Sequence, residues 1–217
     1  MIKRTFDFIL ATIGIVVSFP IWLILGFLIW LEDGGSIFFV QGRPGLNAHF
    51  FKCIKFRSMS LVKNNDSGLL LKQRESPGVT VIGRFMRKLA LDELPQLINI
   101  AKGDMSFVGP RAVYLEDEQS HNERLKSILE LAEFKERSKV HPGLTGAAQI
   151  LINKDSDPII KYKYDIWYIS HQSFGLDLYL ICLSFLVAFA GKWESRFDKF
   201  PVLTRKLKEG IERDIRV

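Results

Sequence analysis

A chain of 217 residues has room for one large domain, or for one domain and a membrane segment. Its 30 basic and 24 acidic residues give a net charge of +6, which suits polyanionic partners: lipid headgroups, nucleotide phosphates or nucleic acid. Two cysteines, Cys53 and Cys182, lie far apart in apolar sequence and read as buried reduced thiols, which excludes a disulfide framework, and the scattered histidines exclude a His/Cys zinc site.

The first element is Phe8 to Leu31, 24 residues without a charge. As a helix it measures roughly 36 Å, enough for a hydrocarbon core of about 30 Å. A buried core helix of this length with no polar face is rare in a small domain. A signal peptide needs a small-residue cleavage site, and Trp30-Leu31-Glu32-Asp33 offers none. Membrane insertion is therefore expected. Pro20, at the middle, removes a helix hydrogen bond and predicts a break or kink. Lys3 and Arg4 hold the N-terminus on the cytoplasmic side, and Arg43, Lys52, Lys55 and Arg57 make the far flank basic too. Positive charge on both flanks favours a helix–break–helix hairpin that enters and leaves by one face. The pattern alone leaves a full span open.

Beyond it, Ile37 to Val40 and Phe50 to Phe56 read as short strands around the turn Pro44-Gly45-Leu46-Asn47. Ser60 to Gly78 is polar and turn-rich, a loop or lid. Ile82, Phe85, Met86 and Leu89 follow the helical period, with Arg84, Arg87 and Lys88 on the other face. Pro95 suits the first turn of a helix over Leu94 to Ala101, closed by Gly103. Leu125, Ile128, Leu129 and Ala132 mark a further amphipathic helix, and Asp157-Pro158 starts one that runs toward Ser170. Leu178 to Ala190 is apolar but too short to span; Trp167, Tyr168, Tyr179 and Trp193 nearby suit a headgroup boundary. Leu203, Leu207, Ile211 and Ile215 give the tail an amphipathic packing face. The fold class is α+β and helix-dominated. It divides into a membrane segment over 1–33, a catalytic domain over 34–192 and a tail over 193–217.

Chemistry is densest in Leu91-Asp92-Glu93-Leu94-Pro95-Gln96-Leu97. Asp92 as a helix cap, with Glu93 on the positive end of the dipole, is one reading. The other uses the same physics. A helix tip binds phosphate and keeps an aspartate ionised for nucleophilic attack, while a neighbouring glutamate offers oxygen to Mg²⁺. Attack by a carboxylate on a diphosphate brings like charges together, so cations must be in place, and Arg87, Arg111, Lys55 and Arg57 are the candidates. Gly103 to Arg111 reads as a turn with a surface arginine, and His141-Pro142-Gly143-Leu144-Thr145-Gly146 as a loop.

In order along the chain, Lys3-Arg4-Thr5-Phe6-Asp7, Gln41-Gly42-Arg43-Pro44-Gly45, Lys55-Phe56-Arg57-Ser58-Met59, the Asp92-Glu93 motif, Gly103 to Arg111, Pro142 to Gly146, and Tyr164-Asp165-Ile166-Trp167-Tyr168 resemble the bacterial sugar-transferase family. These are the monotopic phosphoglycosyl transferases. The resemblance covers Lys3 to Ala190. It implies a re-entrant membrane helix with both ends cytosolic, at the bacterial inner membrane. Asp92 is then the nucleophile, Glu93 the Mg²⁺ ligand, and Arg87, Arg111 and Arg57 the phosphate-side arginines. The implied partners are a UDP-sugar, polyprenyl phosphate and membrane lipid, with no nucleic acid; self-association is left open.

Three positions depart from the family pattern. The break reads Ser18-Phe19-Pro20, where serine usually directly precedes proline. Ala112 follows the Gly-Pro-Arg triplet in place of proline. After Thr145-Gly146 the chain continues Ala147-Ala148-Gln149, without the tryptophan and later Asn-Gly-Arg of many members. That missing arginine leaves a catalytically silent scaffold as the alternative. A membrane-tethered nucleic-acid binder would rest on the isoelectric point of 9.3, but the chain lacks a recognition motif.

Overall fold

The computed structural model describes residues 2–60, 78–112, 132–153, 156–193 and 201–216. The expected helix around Leu125 to Leu129 lies outside these residues, as does the interior of the expected loop between Ser60 and Gly78. The two ends of that loop meet, with the Ser60 N–H donating to the Gly78 carbonyl at 3.0 Å.

Helix α1 runs from Ile2 to Asp33 and is the one described helix long and apolar enough to cross a membrane. It is a single helix with Pro20 inside it, so the separate helices of the expected hairpin are not seen. Proline deletes one hydrogen bond of a long series, and its effect here is too small to divide the helix. The Ser18 hydroxyl two residues earlier donates to the Gly14 carbonyl at 2.6 Å. The buried side chains of Asp7, Ala11, Ser18, Trp22, Leu25 and Ile29 keep to one stripe through the proline, spaced three, four or seven residues apart. Ala11 packs with Leu97 and Ile100, and Trp22, Leu25 and Ile29 pack with Phe56 and Met86. The outer face, including Ile13, Val17, Leu23 and Phe27, is exposed and apolar. Such a face fits membrane association.

Strands β1 (Phe38–Pro44) and β2 (Phe50–Phe56) form the expected antiparallel hairpin, Phe38 opposite Phe56 and Pro44 opposite Phe50. Asn47 takes the left-handed conformation at φ 51° that the turn requires. Helix α2 (Val81–Lys88) is capped by Thr80, whose side chain accepts from the Gly83 N–H. Its buried face differs from the expected one. Gly83 and Met86 point inward, whereas Phe85 is 54% exposed. A β-carbon on Gly83 would lie 2.1 Å from the Ser58 carbonyl oxygen, so the helix meets the backbone there and only glycine permits it.

Helix α3 (Gln96–Lys102) ends at Gly103, φ 102°, as expected from the sequence. Its Asn99 is buried and ties the helix to β2. Asn99 accepts from the Ile54 N–H at 3.1 Å and donates to the Lys52 carbonyl at 2.8 Å. Strands β3 (Ser106–Val108) and β4 (Gly143–Thr145) pair in parallel, Ser106 beside Gly143 and Val108 beside Thr145. The two segments read as a turn and a loop are thus a buried strand pair. Composition hid this because glycine is a poor strand former, yet here it is what lets the backbones meet. A β-carbon on Gly109 would lie 2.4 Å from the His141 oxygen, and one on Gly143 would lie 2.1 Å from the Gly109 nitrogen.

Helices α4 (Ala132–Arg137), α5 (Ala147–Leu151), α6 (Pro158–Ser170), α7 (Phe174–Phe189) and α8 (Pro201–Arg216) complete the described chain. Asp157 caps α6 as expected, accepting from the Ile159 N–H at 2.7 Å. Helix α8 buries Ile211 and bonds to α6 through Trp167 Nε1 and Asp214 at 2.8 Å. Two expectations fail on burial. Tyr168 belongs to the core, not to a headgroup boundary, because its hydroxyl finds a buried partner in Asp177. Cys182 is exposed on the outer face of α7, whereas Cys53 is buried as expected.

Candidate active site

Asp92 and Glu93 sit on a 3₁₀ turn, Leu91–Glu93, entered through Ala90 at φ 58°. Neither this turn nor α3 is capped by a side chain, so helix capping is not what holds Asp92. Both carboxylates are buried. Lys55, on the end of β2, donates to Glu93 Oε1 at 2.7 Å, and Arg111, just past β3, donates to the same oxygen at 2.6 Å. Burial works to raise the Glu93 carboxyl, but the two cations outweigh it and hold it well below the usual range. Asp92 feels Lys55, Arg87 and Arg111 through space without a bond from them. Burial, reinforced by the charge of Glu93, pushes Asp92 up to about 6. Two adjacent carboxylates are therefore driven apart: one is locked as an anion between cations, while among the described residues no side chain bonds to the oxygens of the other.

Two of these cations, Arg87 and Arg111, have supports of their own. Arg87 Nε donates to the Ser58 hydroxyl at 2.9 Å, fixing α2 to the segment after β2. The Arg111 carbonyl accepts from Arg137 at 2.7 Å, and Arg137 in turn donates to the buried Asp165 at 2.8 Å and lies 4.7 Å from the Tyr162 ring centre. Asp7 of α1 accepts from the Ser106 hydroxyl at 2.8 Å and the Phe107 N–H at 3.2 Å, anchoring the strand that leads to Arg111.

Of the residues singled out from sequence, Asp92, Glu93, Lys55, Arg87 and Arg111 come together. Arg57 is buried past the end of β2, with its backbone N–H on the Ile37 carbonyl at 2.9 Å. Ser18 and Pro20 lie on α1, apart from this group. Sequence reasoning missed Ser58, Arg137 and Asp165 as supports. Ser58 and Asp165 stood inside two quoted motifs; Arg137 carried no local signal, because its partners are distant in sequence.

Residues 1–191 match the family described as Bacterial sugar transferase. The Exopolysaccharide production protein ExoY of Sinorhizobium fredii is 38% identical over 193 residues, which cover 82% of this chain and 81% of that protein. The "Uncharacterized sugar transferase EpsL" of Bacillus subtilis is 35% identical, with 85% of each chain covered. The UDP-glucose:undecaprenyl-phosphate glucose-1-phosphate transferase of Escherichia coli is 34% identical over 197 residues, 88% of this chain but 41% of that longer protein.

Proposed function

Because this chain belongs to the bacterial sugar transferase family, we propose that it moves a sugar 1-phosphate from a UDP-sugar to a polyprenyl phosphate. The Asp92 carboxylate attacks the β-phosphorus of the donor. A carboxylate-oxygen–phosphorus bond forms, the bond to the bridging oxygen breaks, and UMP leaves with that oxygen. A phosphate oxygen of the acceptor then attacks the same phosphorus and displaces Asp92, giving a polyprenyl diphosphate sugar. The observation that carries the reading is the division of labour between the paired carboxylates. Glu93 collects Lys55 and Arg111 on one oxygen, while the adjacent, buried Asp92 is left unbonded by either.

Arg111, Lys55 and Arg87 are positioned to meet phosphate oxygens, with electrostatic stabilisation largest where water is excluded. Mg²⁺ fits the same pair. It is a hard cation that favours one or two carboxylates completed by phosphate oxygens and water. Glu93 and Asp92 offer that donor set, and among the described residues no cluster of three His, Cys, Asp or Glu side chains would cage a metal instead. Bound there, Mg²⁺ would offset the negative charge of the diphosphate.

The same reading puts the chain at the bacterial inner membrane with both flanks of α1 on the cytoplasmic face. Its support is that both ends of α1 bond to one domain. Arg4 donates to the Ala101 carbonyl at 2.7 Å, and Glu32 accepts from the Val81 N–H at 2.8 Å. A helix that crossed the bilayer would carry these ends to opposite sides.

The test is a donor-only reaction. Full-length protein with Mg²⁺ and a panel of UDP-sugars is expected to release one equivalent of UMP and to gain a phosphosugar on the peptide containing Asp92. Multiple turnovers then require polyprenyl phosphate. A protein that turns over with acceptor but never carries the adduct overturns the covalent route.

A further inference from the structure

Beside the Asp92–Glu93 turn lies a cavity of about 240 Å³. Leu91 of the turn and Leu94 just after it, Leu144 of β4, and Ile181, Phe185 and Phe189 of α7 are among its walls, and Glu93 borders it. Two hydroxyls also face it, those of Thr145 and Ser184, but they bond to one another, and Ser184 donates to the Leu180 carbonyl at 2.8 Å. Among the described lining residues both hydroxyl protons are thus spent inside the protein, whereas a nucleobase or a sugar needs several polar partners. At its outer rim, Phe185 and Phe189 are 56% and 84% exposed and continue into the exposed apolar face of α7 at Leu186 and Phe174.

A ligand for this space has an apolar body that reaches outward over α7 and an anionic end that meets Lys55 and Arg111 at Glu93. On the reaction proposed above, one participant has that form. We infer that the cavity takes the first isoprene units of the polyprenyl phosphate acceptor, its phosphate at the cation pair and its chain leaving along α7 toward lipid. This rests on the transferase reading. The donor, by contrast, approaches from the polar side of Asp92 and does not use the cavity. The acceptor's phosphate oxygen enters opposite the Asp92–phosphorus bond, on the side that UMP has left, while its apolar chain stays in the cavity.

The experiment uses full-length protein in lipid nanodiscs. Ala188, which lines the cavity and has no place in the cation cluster, is changed to phenylalanine to fill it. Ala188→Phe is expected to raise KM for polyprenyl phosphate by about tenfold or more while leaving donor-only UMP release at its wild-type rate. Should that variant fail to fold, Phe185→Ala removes a wall instead, and the expected rise in KM is about three- to tenfold. In parallel, a polyprenyl phosphate with a diazirine on its first isoprene unit is photolysed on the wild-type protein, and the label is expected on α7 peptides. Unchanged acceptor KM with label outside the cavity overturns the inference, whether or not UMP is released. Label on α7 in a protein that releases UMP from no UDP-sugar supports the subsite and removes the transferase reading.

Discussion

The guanidinium of Arg137 donates to the backbone carbonyl of Arg111 at 2.7 Å, so one buried cation holds the strand end that delivers another to Glu93. Arg137 is itself neutralised by Asp165, and both are almost wholly enclosed. Removing one member of such a pair strands the other charge in the interior. Arg137→Met is expected to destabilise the fold by about 3–5 kcal/mol. For a domain of this size that is a fall of roughly 6–20 °C in Tm. Thermal unfolding in nanodiscs or detergent measures it; a shift under about 2 °C would show that the pair is not a structural support.

The raised Asp92 carboxyl predicts a pH profile. Attack needs the ionised form, so kcat/KM for the donor is expected to fall as pH drops through about 6, about two units above an ordinary aspartate. Lys55→Met removes a charge that favours the anion and moves this limb upward. Glu93→Gln removes the charge that opposes it and moves the limb downward, while weakening Mg²⁺ dependence and slowing the reaction because Lys55 and Arg111 lose their anchor. Opposite movements identify Asp92; limbs that stay together in both variants point to another group.

The same group makes a statement about stability. A carboxyl raised in the folded state prefers to be protonated there. It carries no penalty below the unfolded value near 3.8, and the penalty is fully developed once pH has risen past about 6. Asp92→Asn is therefore expected to abolish turnover and yet to stabilise the protein at pH 7, by about 1–3 kcal/mol. Near pH 4 the Tm difference from wild type should vanish. A difference of equal size at both pH values removes the ionisation of Asp92 as its cause.

Glycines at the strand crossing admit no side chain. Gly109→Ala places a β-carbon 2.4 Å from the His141 oxygen, backbone against backbone, and neither can rotate away. A loss of about 3 kcal/mol or more is expected, the upper part of the range for overpacking. Activity should fall as well, because Arg111 follows two residues later. Gly175→Ala is the control. Its β-carbon meets nothing within 4 Å, and unfolding is expected to show no loss.

The topology of α1 is checked by cysteine labelling in a Cys182→Ser background. Ile2→Cys and Ser36→Cys are both expected to react from the cytoplasmic side. A label reached only from the opposite side at either position overturns the re-entrant reading. Pro20→Ala should leave both labels where they are, since the buried stripe that docks α1 runs through residue 20 without interruption. Labels that move in Pro20→Ala would return the topology to the proline.

What the amino-acid order alone determined is what acts over a turn or two of chain. The apolar run of α1, the Asp157 cap, the Gly103 stop and the Asn47 turn were legible because capping, left-handed φ and hydropathy are short-range properties. The seven motifs also pointed to Asp92, Glu93 and most of their cations. Only the folded chain decided that Phe85 faces outward and Gly83 inward, that two glycine-rich segments pair as parallel strands, and that Lys55 and Arg111 reach the same oxygen of Glu93. Parallel pairing joins segments far apart in sequence, and a carboxyl is raised or lowered by the burial and charges around it in space. Neither quantity is written in any local stretch of residues.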